Sequence, residues 1–456
     1  MKLTIIGGGG VRTPLLVNGL LNRLHELPVK QLVLYDSDPE KLRIIGTLAI
    51  HLAQQRQTTL QIECTTDIRK AVAGADFIYT AIRVGQESGR VMDERIPLRY
   101  GVLGQETTGP GGFAMALRTI PAMLEYARII EAEAPNAWVI NFTNPAGLIT
   151  EALLKHTNLR VLGICDAPSS LQAGIARFLH LPADHLRINY FGLNHLGWIN
   201  SIQANGTDLL PELLAQYDSF TKTVPHMACF SRELIQQLQL LPNEYLYYYY
   251  YREEAVSHIQ NSTHTRGEQI VQLNHDLMNQ LRDCLAQGDL GQATAVYHAT
   301  MQQRNSTYMS NETGMTHEEI PLEADGYEGL AMSILSTISG NVPKTLILNV
   351  RNNGAIAELR PDDVVEVPCL LDRNGPLPLA VGPLPSRVVG LVQSVKEYER
   401  LTVSAAVSGS YEDALLALTV HPLVGSHTLA RKILDDYLDL HHLHLPQFSG
   451  RSNRHG

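Results

Sequence analysis

The sequence predicts an α/β protein built on a doubly wound parallel sheet of the Rossmann type, followed by a mixed α+β half. Three observations predict it. Short apolar runs alternate with helical stretches over the first 165 residues, glycines fill the first strand-to-helix turn, and each later run stops at polar, Gly or Pro signals. Strands alternating with helices imply right-handed crossovers, and such crossovers build a parallel sheet.

Taken in order, "KLTIIG" is a short strand ending in glycines, and "PLLVNGLLNRL" follows with helical spacing. "QLVLYD" is a second strand and "PEKLRIIGTLAIHLAQQ" a second helix. "DFIYTAI", "AWVINFTNP" and "VLGICD" are further short apolar runs, each closing at a breaker. From about residue 186 the texture changes. "RINYFGLNHLGWINSIQANG" reads as strands with a turn at Asn205-Gly206, and helical stretches rich in Gln, Leu and Tyr follow. "TLILNVRNNGAIAEL" and "DVVEVPC" read as another sheet, and the stretch from "SYEDALLAL" to "LDLHHLHL" is helical. The expected division is a dinucleotide-binding domain over 1–196, a substrate and oligomerisation domain over 197–447, and a tail over 448–456.

Bulk properties narrow the function. A formal charge of −10 argues against a nucleic-acid partner, because duplex binding rests on Lys and Arg neutralising phosphates. An anionic small substrate stays open, since a local basic pocket can sit in an acidic protein. The five widely spaced cysteines form neither a zinc pattern nor a disulfide framework. The chain opens directly on a strand, and no apolar run approaches the roughly 20 residues that span a bilayer. The expectation is a cytoplasmic protein with no membrane partner.

In open parallel sheets, ligands bind beyond the carboxyl ends of the strands. That directs attention to Gly7, Gly8, Gly9 and Gly10, to Asp36, to Arg83, to the turn Asn141–Asn144, and to Cys165-Asp166. A glycine turn lets backbone N–H groups approach a pyrophosphate at a helix start, and an acid ending the second strand accepts bonds from ribose hydroxyls. NAD is the cofactor this pattern suits, with Arg83 as a further contact. Arg12 stands where a third glycine is usual. "GLNHLGW" adds Asn194 and His195. Paired with Cys165, His195 offers a soft S/N ligand set for a divalent metal, with positions left for substrate oxygens and water. A buried small cysteine followed by a helix-capping Asp is the plain alternative for "GICDAP". Arg266, in what reads as a loop before a helix, is a sensible anchor for an anion; a solvated surface Arg is the alternative.

Together these strings resemble one family, the NAD- and Mn-dependent glycosidases of glycoside hydrolase family four. "GGGG-VRTP", "LYDSDPEK", "IRVGQESGRVMDERIPLRYGVLGQETTGPGG", "NAWVINFTNPAG", "GICDAP", "FGLNHLGW", "PNEYLYYYY", "THTR" and "NNGAI" run in order to about residue 370. The resemblance implies a fold like that of lactate and malate dehydrogenases. It makes Cys165 and His195 the ligands of Mn²⁺ or another divalent metal, and Tyr245 the base. Arg90, Asn144, Asn194 and Arg266 become substrate contacts, and Gly7–Gly10 with Asp36 the NAD site. One departure stands out: the family's glycine turn continues with Ser or Thr and an aromatic, where this chain has Gly10, Val11 and Arg12.

The chemistry so implied is C3 oxidation by NAD, C2 deprotonation, elimination at C1, water addition and re-reduction. A tyrosine base must be depressed from its usual pKa near ~10 by nearby positive charge. Within the family, Cys-Asp resembles the 6-phospho-α-glucosidases, where the Asp protonates the leaving oxygen, and Cys-Asn the β-specific enzymes. Cys-His resembles the α-galactosidases and uronidases. Asp166 therefore points to α-linked, phosphorylated disaccharides or glucosides, while the wider texture also resembles the β branch. The family and the tyrosine-rich stretch imply a homodimer or homotetramer. A simple NAD-dependent dehydrogenase of hydroxy acids or sugars is the competing enzyme. An NAD-sensing regulator is the non-enzymatic alternative.

Overall fold

The computed structural model describes residues 1–314 and 327–451. Six strands form the parallel part of the main sheet: β1 (Lys2–Ile6), β2 (Gln31–Tyr35), β3 (Gln61–Thr65), β4 (Phe77–Thr80), β5 (Trp138–Asn141) and β6 (Arg160–Gly163). Their order is β3-β2-β1-β4-β5-β6, with β1 paired in parallel to both β2 and β4. This is the strand order of dinucleotide-binding folds, with the switch point between β1 and β4. The central strands are near-continuous apolar runs because helices cover both faces. The helix Pro39–Gln55 starts and stops where its sequence says it should: Asp38 accepts from the N–H groups of Glu40 and Lys41, both at 3.0 Å, and Pro39 takes the first turn.

Beyond β6 the structure keeps the expected strands and the turn at Asn205-Gly206 but departs in how the later strands pair. A hairpin, β7 (Arg187–Leu193) and β8 (Leu196–Ala204), forms a small antiparallel sheet with β9 (Thr207–Asp208) and β10 (Leu241–Pro242). The strands expected to make another sheet, β11 (Lys344–Arg351), β12 (Val364–Asp372) and β13 (Gly375–Pro378), instead extend the main one. They join antiparallel, through a bridge between Asn349 and Gly163. The physical reason is that β6 would otherwise be an open, apolar edge, which sheets avoid. Strands from both sides of residue 196 thus share one nine-stranded sheet, and one large core runs beneath it.

The helices Ser386–Ser408, Tyr411–Val420 and His427–Leu440 close the molecule. Tyr437 donates to the carbonyl of Asp93 at 2.8 Å, and the buried side chains of Arg118 and His441 both meet the Asp93 carboxylate. The turn Pro446–Arg451 buries Phe448, and residues 452–456 lie outside the described residues. No helix among the described residues is long and apolar enough to cross a membrane.

Candidate active site

The glycine turn is forced by close approach. Gly7 has φ +95°, and a Cβ there would stand 2.3 Å from the Ala81 carbonyl oxygen. Its N–H and that of Gly8 donate to the Tyr35 carbonyl at 2.9 and 2.7 Å, which pins the turn to the end of β2. Gly9 N–H donates to Asp36 Oδ2 at 2.9 Å, and Asp38 N–H to Asp36 Oδ1 at 3.0 Å. The acid expected to meet a ribose therefore also holds the turn that would meet the pyrophosphate. The helix Thr13–Asn22 follows, with Arg12 as its N-cap residue.

Cys165 and Asp166 stand just past β6. Cys165 is the N-cap of the helix Asp166–Leu179 and makes no side-chain capping bond. Asp166 is the first helical residue, so the plain reading of it as a capping acid does not hold. Its Oδ1 lies 4.0 Å from Cys165 Sγ, and its Oδ2 3.9 Å from the Arg12 guanidinium. Cys165 is buried, and burial, with Glu366 and Asp166 nearby, pushes its thiol well above the usual range.

His195 occupies the tight turn between β7 and β8 at φ +61°. Its ring stacks flat on Tyr245, with centroids 3.6 Å apart and planes 2° apart. Burial pushes it down to about 3, so the imidazole is neutral. Gln105 Oε1 accepts from the N–H groups of Thr107 and Thr108 and from the Thr107 hydroxyl. An amide oxygen only accepts, so its hydrogen bond with the Thr107 hydroxyl uses that hydroxyl's one proton. With that proton on Gln105, the Thr107 oxygen, 3.1 Å from His195 Nδ1, receives the Nδ1–H and leaves the Nε2 lone pair for a ligand.

This donor set fits a divalent cation. A neutral imidazole with a free Nε2 and a buried thiol among carboxylates both lack a positive partner, which a metal supplies while holding the thiol as thiolate. Among the described residues no group of three or more His, Cys, Asp or Glu side chains is arranged for a metal. The chain offers two ligands and leaves other positions to substrate and water.

A buried polar floor lies beneath. Asn349 on β11 and Glu366 on β12 are cross-strand partners. Glu366 accepts from Asn349 at 2.8 Å, Asn194 at 3.1 Å and the Tyr190 hydroxyl at 2.9 Å. Burial pushes it up to about 7. Asn194 is thereby oriented by the added strands of the sheet. On the other flank, Asn141 accepts from Thr80 and donates to Thr143, Ala146 and Thr150, fixing the turn that carries Asn144.

Tyr245 lies in a 3-10 turn, Glu244–Leu246, set by Asn243 accepting the Tyr245 N–H at 3.0 Å. The Tyr308 hydroxyl donates to Tyr245 Oη at 2.7 Å. Burial holds Tyr245 well above the usual phenol range, so the depression expected of a base requires the metal. Of the remaining tyrosines in the run, Tyr247 and Tyr248 are buried in packing, as expected.

A wall of arginines completes the cleft. Arg83 and Arg90 both reach Glu106, at 2.6 and 2.9 Å, and Arg90 also holds Glu94 at 2.8 Å. Burial would raise Glu106, but Arg90 and Arg83 outweigh it and hold it down to about 2. Arg266 is neither on a loop nor at the surface, as the sequence reading allowed. It is the first residue of the helix Arg266–Gln287, is 8% exposed, and follows a Thr265/Glu268 capping box. Its guanidinium donates to Thr307 Oγ1 and to the Arg304 carbonyl, both at 2.7 Å.

The structure thus groups Cys165, Asp166, Asn194, His195 and Tyr245 around one end of the cleft, and Arg83, Arg90 and Arg266 along its wall. Gly7–Gly10 and Asp36 lie at the turn beyond. The sequence reading missed Thr107, Tyr308, Arg304, Asn349 and Glu366. For the last two a signal existed, a lone polar residue inside the runs "LILNV" and "VVEVP".

A glycine turn after β1, a strand-end acid on β2 and this strand order define the class: a dinucleotide-binding protein of the doubly wound type. The narrower identity comes from comparison. The pattern described as Family 4 glycosyl hydrolase matches residues 2–181, and that of the Family 4 glycosyl hydrolase C-terminal domain residues 190–424. The chain belongs to this family. It is 38% identical over 458 residues to the Bacillus subtilis (strain 168) protein named "Probable 6-phospho-beta-glucosidase", covering 98% of each chain. A 6-phospho-alpha-glucosidase from gut microorganisms, solved with NAD and Mn²⁺, aligns with TM-score 0.82 at 30% identity, over 96% of this chain and 98% of that one. The 6-phospho-beta glucosidase of Thermotoga maritima, solved with manganese, NAD⁺ and glucose-6-phosphate, aligns with TM-score 0.83 at 28% identity, over 97% and 99%.

Proposed function

We propose that this chain hydrolyses 6-phosphoglucosides, α-linked ones in preference, with NAD and Mn²⁺ or another divalent metal bound in the cleft. The observation that carries it is the pairing of Cys165-Asp166 at the end of β6 with a neutral His195 stacked on Tyr245. When bound, NAD supplies a reversible hydride acceptor and the metal an electrophile for the sugar oxygens. Cys165 and His195 Nε2 hold the metal, and Gly7–Gly10, Asp36 and Arg83 hold the cofactor. Tyr245 takes the C2 proton, with Tyr308 stabilising its oxygen as charge develops. Asp166 gives a proton to the leaving oxygen. Arg90, Asn144, Asn194 and Arg266 orient the sugar. The C2 proton is acidic whichever face carries the leaving group, so the mechanism itself accepts both anomers.

A β preference is the second reading, favoured by the 38% identity to a protein named for that activity. p-Nitrophenyl α- and β-glucoside 6-phosphates, offered with NAD and Mn²⁺ under reducing conditions, separate the two. Aglycone release without NADH accumulation supports the glycosidase; steady NADH build-up without cleavage refutes it. We also read the enzyme as a cytoplasmic homodimer or homotetramer. The compartment is supported by five free cysteines, one of them needed as a metal-binding thiolate, and light scattering of the purified protein tests the oligomer.

A further inference from the structure

The helices Arg266–Gln287 and Leu290–Ser306 fold back on each other at Gly288 and Asp289 and pack on the helix Pro39–Gln55. Leu281, Tyr297 and Met301 share with Ile44, Ile45 and Leu48 a small core separate from the large one. An element held by a core of its own loosens at lower cost than the body of the fold. Tyr297, 1% exposed, donates to the Val11 carbonyl at 2.8 Å, directly after the four glycines. Inside the turn, Gly10 N–H donates to the Gly7 carbonyl and Thr13 N–H to the Gly10 carbonyl, both at 3.0 Å. The direction of the Val11 carbonyl therefore follows the shape of the turn. At the far end of the same helix, Arg266 grips the Arg304 carbonyl and Thr307 Oγ1, both at 2.7 Å. The next residue, Tyr308, donates to Tyr245 Oη at 2.7 Å. About 14 Å of helix, from Tyr297 to Ser306, joins the two ends.

We propose that Tyr297 is a positioning residue that couples these ends: a dinucleotide seated on the glycine turn docks the helix Leu290–Ser306, and the docked helix sets Tyr308 against Tyr245. This rests on the reading above of NAD as cofactor and Tyr245 as base. A pyrophosphate held by the N–H groups of the turn narrows the conformations open to it, and so fixes the carbonyl that Tyr297 needs. Linkage makes the effect mutual, since whatever docks the helix favours the dinucleotide by the same factor. Tyr308 then supports the Tyr245 oxygen while the cofactor that must first oxidise C3 is in place.

ADP-ribose is the probe, because it carries the pyrophosphate and ribose of NAD without the nicotinamide that would meet the sugar. In hydrogen–deuterium exchange of the full-length protein, ADP-ribose should slow exchange across residues 290–308 by about threefold or more. Tyr297→Phe, which removes one oxygen from a buried ring, should weaken ADP-ribose about threefold to tenfold in calorimetry and cut that protection. Its affinity for Mn²⁺ should stay within about twofold of wild type, because Cys165 and His195 lie outside the coupled path. In turnover, Tyr297→Phe and Tyr308→Phe should be non-additive, the double variant falling little below Tyr308→Phe alone. Exchange across 290–308 that ignores ADP-ribose in the wild type overturns the proposal, a measurement that depends on no variant. So does protection that survives Tyr297→Phe unchanged, or losses of turnover that multiply in the double variant. A protein that shows the protection and its loss yet cleaves no 6-phosphoglucoside would refute the functional reading and leave the link between turn and helix standing.

Discussion

Replacing Thr107 by Val removes one oxygen at nearly constant volume and tests how His195 is prepared for a metal. The Thr107 hydroxyl lies 3.1 Å from both Gln105 Oε1 and Nδ1, so giving its own proton to Gln105 lets it receive the imidazole proton. His195 is 5% exposed, so water does not replace the lost acceptor. Leaving a buried N–H without a partner costs about 1–3 kcal/mol. That cost falls on the tautomer that ligates through Nε2, so it appears as weaker metal binding, by about fivefold to 150-fold at ~1.4 kcal/mol per decade. Titrating Mn²⁺ into metal-stripped wild type and Thr107→Val by calorimetry reads the ratio, and saturating Mn²⁺ should restore much of the variant's turnover. A folded variant that binds Mn²⁺ within about twofold of wild type would refute the tautomer argument.

Tyr308→Phe removes the donor to Tyr245; turnover should fall about tenfold, the acid limb of its pH profile should move to higher pH, and C2–H exchange with solvent should slow. Glu366, pushed up from 4.5 to about 7 by burial, holds its proton more tightly in the folded state than in the unfolded one. Stability is therefore lost as pH climbs from about 4.5 to about 7, so the Tm of Glu366→Gln relative to wild type should rise over that range and level off above it. Arg118→Met strips the buried Asp93 of two bonds at 2.7 and 2.6 Å and should cost about 3–5 kcal/mol in urea unfolding. Cys165→Ser should lose the metal and activity while the far-ultraviolet circular dichroism spectrum stays native.

Local signals made half of this protein readable. The helix Pro39–Gln55 was legible because Asp38-Pro39 is a start signal written in adjacent letters, and the glycine turn because only backbone fits against Ala81. Cys165 was legible by position, at the end of a buried run in a parallel sheet. The continuation of the sheet past β6 was not, because the partner of Gly163 is Asn349, 186 residues away, and apolar runs do not name their neighbours. Arg266 illustrates a signal present but passed over: Thr265 and Glu268 spell a capping box, which puts the arginine inside a helix rather than on a loop. Arg304 and Tyr308 carry no motif at all. Arg304 lies in the last turn of the helix that Tyr297 ties back to Val11, and Tyr308 stands two residues past that helix's end.

The Asn349–Gly163 bridge ties durability to chemistry. A Cβ at Gly163 would stand 2.2 Å from Thr150 Oγ1 and 3.0 Å from Asn349 Cβ, so the joint has no slack to absorb a substitution. Cys165 is two residues beyond it on one side, and Glu366 hangs from Asn349 on the other. A crack at this joint would release Cys165, the proposed metal ligand, and the acid that orients Asn194 in a single local event, one that breaks few hydrogen bonds. Heat should therefore silence the enzyme by loss of bound metal well before its helices melt, and a thermally aged sample should recover when cooled with fresh Mn²⁺.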